Sequence, residues 1–100
     1  MPAAFVFTPR ALEDLDYIWT YIARENLSAA DRVQEAILAA AARLARHPHL
    51  GSRRTDITDR PVRFWILPRF PNFVLVYRPE TQPLQVVAVL HNKRNLPSLL

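Results

Sequence analysis

The residues best suited to holding an anion lie near the end of the chain and on the predicted strands before it. The segment His91-Asn-Lys-Arg-Asn95 combines an imidazole with two cations, and Arg63 and Arg78 precede it. If their strands pair with one another, these side chains converge on one positively charged region suited to phosphate or carboxylate groups. Exposed strand ends are commonly charged, so an ordinary solvated surface explains the same residues.

Other residues that could form a catalytic or metal site give only weak signals. His47 and His49 stand two residues apart with Asp56 and Asp59 nearby, but no further ligand has a recognised metal-site spacing, so we predict no metal. The absence of cysteine excludes disulfides, thiol nucleophiles and thiolate zinc sites. The single glycine, Gly51, could hardly build a phosphate loop or a nucleophile elbow.

Large aromatic side chains are numerous for a chain of 100 residues. Five of them stand in predicted helices, strands or turns: Tyr17, Trp19, Tyr21, Trp65 and Phe70. Their spacing is typical of side chains packed in a core. Aromatic and arginine side chains are also the usual anchors of protein interfaces, so a protein-binding groove stays open as an alternative.

Composition predicts one globular domain spanning residues 1–100. Half of the residues are hydrophobic, and the net charge of +4 arises from 13 Lys and Arg against 9 Asp and Glu. Arginine dominates the cations, which favours an anionic partner such as nucleic acid or an acidic protein segment. The first residues show neither a basic leader nor an apolar run of membrane-spanning length, so we expect a cytoplasmic location.

Two helices are predicted to position the aromatic residues. Thr8 and Pro9 are suited to the N-cap and first turn of one helix, and Ser28, with Asp31 three residues later, is predicted to cap the next. Apolar residues recur at helical spacing in both, and His47-Pro48 ends the second. Because the connection is short, the helices should form an antiparallel hairpin.

Strands are predicted to position the cations. Residues 3–7 form an edge strand, and residues 62–67, 72–78 and 84–91 form an antiparallel meander after a polar loop. Consecutive apolar residues predict a sheet covered on both faces, by the hairpin on one and by the chain's tail or a partner on the other, because no internal segment looks long enough. Gly51 is expected to supply a backbone conformation that other residues resist. The fold class is therefore α+β: an N-terminal strand and a helical hairpin packed on an antiparallel sheet.

The order of motifs resembles the RelE/ParE superfamily of bacterial type II toxins along nearly the whole chain. The resemblance begins at Phe7-Thr-Pro-Arg-Ala-Leu-Glu-Asp-Leu15 and continues through Ala45-Arg-His-Pro-His-Leu-Gly51 and Val62-Arg63. It ends in Phe73-Val-Leu-Val-Tyr-Arg78 and Val89-Leu-His-Asn-Lys-Arg94. The resemblance implies one of two activities, either inhibition of DNA gyrase by protein binding or cleavage of mRNA on the ribosome.

The resemblance favours the ParE-like, gyrase-inhibiting branch. Val74 and Leu100 stand where the nuclease branch carries an arginine and a tyrosine, so cleavage would depend on Arg63, His91 and Arg94. The usual ParE-like ending has glycine after the histidine and aspartate after the arginine; Asn92 departs from it mildly, whereas Asn95 removes a negative charge. The nuclease, a ribosome-dependent enzyme with those three catalytic candidates, remains the alternative.

The resemblance also implies partners. A cognate antitoxin folds onto the toxin and forms a hetero-oligomer with it, and neither a cofactor nor a membrane is implied. We expect the antitoxin to bind Trp19, Tyr21, Trp65 and Phe73. The target-binding candidates are Arg63, Arg78, His91, Lys93 and Arg94.

Overall fold

A short strand and two helices come first in the chain, and three longer strands follow. The computed structural model describes residues 3–92. In chain order the elements are β1 (Phe5–Phe7), α1 (Pro9–Ala23), α2 (Leu27–Arg46), β2 (Arg63–Ile66), β3 (Phe73–Arg78) and β4 (Leu84–His91). Each lies within two residues of its predicted bounds, and the α+β class is confirmed.

Side-chain caps determine where the two helices begin. Thr8 caps α1 as predicted, since its Oγ1 accepts a hydrogen bond from the N–H of Ala11 at 3.3 Å. The predicted Ser28 cap of α2 is wrong. Asn26 takes that role, because its extended backbone places Oδ1 2.9 Å from the N–H of Ala29. No helix within residues 3–92 is long and apolar enough to cross a membrane.

A side-chain hydrogen bond joins the two helices of the hairpin. The indole Nε1 of Trp19 donates to Asp31 Oδ1 at 3.0 Å. Asp31 was predicted to close the N-terminus of α2, and this prediction is also wrong, because its carboxylate faces α1. The bond ties the middle of α1 to the first turns of α2.

The sheet has the order β1-β4-β3-β2. The predicted antiparallel meander of β2, β3 and β4 is confirmed, and β1 is an edge strand as expected. However, β1 runs parallel to β4, so the sheet is mixed rather than wholly antiparallel. The reason is topological: after the helical hairpin, β2 runs in the same direction as β1, and the meander then reverses twice, so β4 also runs in that direction.

Both faces of the sheet are buried. The hairpin covers one face, where Ile37 and Leu44 of α2 pack with Leu75 and Tyr77 of β3. The other face holds a smaller cluster: Val62, Phe64, Val74, Val76, Ala88 and Leu90, with Ile57 packed against it. We expected no internal segment long enough to cover this face, and the loop after α2 supplies Ile57 and Val62 to the cluster.

Gly51 is required by a close approach and not by its backbone conformation. Its φ lies outside the left-handed region, so the predicted reason for glycine is wrong. A Cβ at this position would lie 2.5 Å from the Tyr77 hydroxyl and 2.9 Å from the carbonyl oxygen of Phe64. Any larger residue would therefore displace the buried tyrosine or the edge strand.

Candidate protein-binding groove

The main concave surface is a groove between α1 and the end of the sheet where β3 begins and β4 ends. Its volume is about 680 Å³. The described residues that line it are Arg10, Asp14, Tyr17, Ile18, Tyr21, Ile22, Val33, Phe70, Asn72, Phe73, Val89, Leu90 and His91. We call it the α1 groove.

Two tyrosines of α1 form the outer wall of the α1 groove. Tyr17 and Tyr21 are four residues apart and share one helix face, where their rings stack at 6.3 Å between centroids. They are 61% and 65% exposed, which is unusual for large side chains within a small fold. Ile18 follows Tyr17 and Ile22 follows Tyr21, and both isoleucines pack against the core. The helix therefore presents an aromatic rim over an aliphatic floor.

A carboxylate fixes α1 to the sheet at one end of the groove. Asp14 Oδ2 accepts the backbone N–H of Val89 at 3.0 Å and also pairs with Arg10 Nε at 3.2 Å. The pairing of β1 with β4 stops at Phe7, after which Thr8 bonds to Val86 and Val87. Asp14 thus takes the place of the next strand partner and holds the helix against β4.

The opposite wall comes from the turn before β3 and from the strand ends. Phe73 pairs with His91 in the sheet register, and their rings meet edge to face at 5.7 Å. Asn92 N–H donates to the carbonyl of Asn72 at 2.6 Å and continues that pairing. Phe70 packs against the helix-side core from the preceding turn. These contacts make this wall rigid and aromatic.

The structure separates the four predicted antitoxin-binding residues into two groups. Tyr21 and Phe73 both line the α1 groove. Trp19 instead bonds to Asp31 between the helices, and Trp65 lies on the outer strand β2 beneath Arg43, whose guanidinium carbon is 5.7 Å from the ring centroid. Only the first pair shares a surface.

Two aromatic residues that line the groove, Tyr17 and Phe70, were missing from the predicted set. Tyr17 was recognised as an aromatic of α1, and its spacing of four from Tyr21 was the signal that placed both on one face. Phe70 lies in a turn between prolines, where no periodicity indicates which way a side chain points. Its place in the groove depends on the folded turn.

Among the described residues, the predicted basic residues Arg63, Arg78 and His91 do not converge. Arg63 pairs with Tyr77, whereas His91 pairs with Phe73 at the far end of β3 and on the next strand. This register places the Cα atoms of Arg63 and His91 roughly 16 Å apart. Arg78 follows Tyr77 on β3, so it points to the other face, where it donates to Gln85 Oε1.

Arg63 is also occupied by a structural contact. Its Nη1 donates to the carbonyl of Gly51 at 2.7 Å, and the side chain is partly buried. Val74, which stands where a nuclease would carry an arginine, is 2% exposed within the second apolar cluster. The remaining basic candidates Lys93 and Arg94, and Leu100, lie outside the described residues.

No group of three or more His, Cys, Asp or Glu residues lies close enough to hold a metal ion within residues 3–92. His47 and His49 are both exposed at the end of α2. The polar groups of the α1 groove are the paired Arg10 and Asp14 at one end and Asn72 and His91 at the other. Such a surface is arranged to accept apolar side chains between polar ends, as a protein-binding groove does.

Comparison with known proteins is consistent with this arrangement. Residues 5–96 match the family described as ParE toxin of type II toxin-antitoxin system, parDE. Among solved structures, the fold matches a chain of the "Chromosomal ParDE TA system from P. aeruginosa", with a TM-score of 0.68 and 22% sequence identity over 87% of this chain and 92% of that one. No curated protein matches the sequence.

Proposed function

The chain belongs to the ParE toxin family of type II toxin–antitoxin systems, and we propose that it inhibits DNA gyrase by protein binding until a cognate antitoxin neutralises it. No cofactor takes part in this activity. Gyrase acts on DNA inside the cell, so the proposal includes a cytoplasmic location.

The α1 groove supports the antitoxin part of the proposal and is the observation that carries it. Tyr17 and Tyr21 hold large apolar surfaces in water, which is unfavourable in a free protein and favourable once a partner covers them. Phe73 adds a further aromatic ring to the lining of this groove of about 680 Å³, and an amphipathic helix or an extended segment is the kind of ligand that such grooves bind. A disordered antitoxin segment that folds into the groove would bury both aromatic walls.

The placement of the cations favours gyrase inhibition over RNA cleavage. A nuclease needs its basic groups around one phosphate, within hydrogen-bond reach of the reacting atoms. Arg63 is bonded to Gly51, and core side chains of β3 separate it from His91. These two of the three catalytic candidates therefore cannot act on the same phosphate without a rearrangement of the sheet. Binding to a protein target needs no such convergence.

Plasmid supercoiling by purified gyrase tests the proposal. With the full chain added in micromolar excess, we expect loss of supercoiling together with accumulation of cleaved DNA, and we expect addition of the antitoxin to restore supercoiling. The matched control is heat-denatured protein at the same concentration, which excludes effects of buffer and of added mass.

Unchanged supercoiling with folded protein would contradict the gyrase target. The same preparation should then be added to translating ribosomes and scored for mRNA cleavage. Cleavage there that falls about 10²- to 10⁴-fold in His91→Ala would establish the nuclease, because a general acid or base contributes that much.

A further inference from the structure

A second surface, on the edge of the sheet away from the α1 groove, is strongly basic. Residues 43–54 contain four arginines and two histidines and no acidic residue. In contrast, residues 1–42 contain three arginines against six acidic residues. Positive charge is therefore concentrated in the last turn of α2 and in the loop that follows it.

Contacts with β2 hold this segment against the outer edge of the sheet. Arg43 lies over the ring of Trp65, and Ser52 exchanges backbone hydrogen bonds with Phe64 at 2.8 and 2.9 Å. Arg63 Nη1 bonds to the carbonyl of Gly51. Because both ends of the segment are fixed to one strand, the segment lies along this side of the sheet. We call this side, defined by Arg43, Arg46, His47, His49 and Arg53, the β2-edge surface.

The charges of the β2-edge surface are available to a partner. Arg46 and Arg53 are exposed, and neither makes a hydrogen bond or ion pair with any residue in the described range 3–92. Arg54 differs, since its guanidinium forms two hydrogen bonds with Asp56, which lower the pKa of that carboxyl. Arg43 and Arg46 are three apart and share a helix face, so Arg46 continues the side that Arg43 occupies over Trp65.

Stabilisation of α2 does not account for the whole surface. Basic residues in the last helical turn complement the negative end of the helix dipole, which explains Arg43 and Arg46. That effect falls off within one turn, and Arg53 lies beyond it in a separate loop. A charge held there adds to the repulsion among the cations, and a bound anion would relieve it.

We propose that the β2-edge surface binds the phosphate backbone of duplex DNA. Arginine forks suit phosphate oxygens, and several of them on one side can follow a row of phosphates. A single strand is usually held by bases stacked on exposed aromatic rings. The one aromatic ring here, Trp65, is covered by Arg43, and the exposed tyrosines lie on α1, so the surface fits a duplex. This binding is independent of the identity of the toxin's target.

Salt-dependent DNA binding by charge-matched variants tests the proposal. Fluorescence anisotropy of a labelled duplex of about 20 base pairs is recorded from about 50 to 200 mM NaCl. For Arg46→Gln/Arg53→Gln, the slope of log affinity against log salt should fall in magnitude by about 2, because each phosphate contact contributes roughly 0.9. Arg24→Gln/Arg32→Gln removes the same charge from exposed positions on the helices and should leave the slope unchanged.

Three outcomes would overturn the proposal. If the wild-type protein does not bind the duplex at the lowest salt concentration, the β2-edge surface is not a DNA-binding site. An equal loss of slope in both double variants means that net charge, and not this surface, drives binding. Tighter binding of a poly-glutamate peptide or of single-stranded RNA than of the duplex assigns the surface to another class of partner. Circular dichroism and thermal melting confirm that the variants are folded, and Arg46→Lys/Arg53→Lys should retain binding.

Discussion

At the scale of single residues, Tyr77 joins β3 to the loop after α2, a contact that no motif in the sequence predicts. It is fully buried in β3, yet its hydroxyl donates to the carbonyl of Pro48 at 2.6 Å and accepts the N–H of Gly51 at 2.9 Å. The loop after α2 is thereby fixed to the centre of the sheet. Gly51 must be glycine because this hydroxyl occupies the space of a side chain.

The Tyr77 phenol predicts a loss of stability in alkali. Burial raises its pKa above the ordinary 10.0, although the hydrogen bond from Gly51 and the charge of Arg63 act in the opposite direction. Above pH 10 the unfolded chain therefore releases a proton that the native state retains. This contribution to stability is fully present below about pH 10 and is lost as the pH rises through the raised pKa. Urea unfolding measured from about pH 8 to 11 should show the decline.

Tyr77→Phe is the control for this prediction. It leaves the Gly51 N–H and the Pro48 carbonyl without their buried partner, so the free energy of unfolding at neutral pH should fall by about 1–3 kcal/mol. Its stability should then change less between about pH 10 and 11 than that of wild type, because every other titrating group is common to both proteins. If the free energy of unfolding falls equally with pH in both proteins, other groups cause the loss of stability in alkali.

At the scale of elements, the sequence predicts the strands and helices well because prolines mark so many of their ends. Pro9, Pro61 and Pro79 stand at or beside the ends of helices or strands, where the chain cannot continue a regular ladder. Strand direction has no such marker. The apolar run of β1 predicts a strand but not whether β4 pairs with it in parallel, since that depends on the completed meander.

The cap of α2 shows the limit of local reasoning. Asn26 and Ser28 are both good N-cap residues, and the choice depends on the extended backbone of Asn26, with φ −155° and ψ 100°. Asn26→Ala should lower the free energy of unfolding by about 0.5–2 kcal/mol, because the N–H of Ala29 loses its acceptor.

Ser28→Ala serves as the matched variant. Ser28 Oγ only accepts from Arg32 on the exposed face of α2, so its loss should change stability by less than about 0.5 kcal/mol. Chemical denaturation of the two variants side by side measures both values. A larger loss for Ser28 than for Asn26 would mean that α2 begins at Ser28.

At the scale of the whole molecule, the candidate site could be predicted only in part, because partners across the sheet depend on register. Tyr21 and Phe73 are 52 positions apart in the chain, and both line one groove. The expected cluster of Arg63, Arg78 and His91 does not form, and strand register is again the reason. Each lies on a predicted strand, but residue types cannot indicate which ends of those strands come together.

The molecule also has two chemically different sides. The hairpin contributes an aromatic groove and an excess of acidic residues, whereas the edge beyond β2 contributes arginines. The α1 groove and the β2-edge surface share no residue. The antitoxin contacts proposed for the groove are therefore separable from contacts that depend on the basic residues.

This separation predicts a toxin that escapes its antitoxin. Tyr17→Ala/Tyr21→Ala removes the outer wall of the α1 groove and should weaken antitoxin binding about 30- to 900-fold, since aromatic anchors contribute roughly 1–2 kcal/mol each. Gyrase inhibition should persist, measured by supercoiling alongside antitoxin binding by calorimetry. Leu12→Ala, at an exposed position of α1 outside the groove, should change neither. If the tyrosine variant still binds antitoxin normally, the groove is not the antitoxin site; if it no longer inhibits gyrase, target and antitoxin compete for one surface.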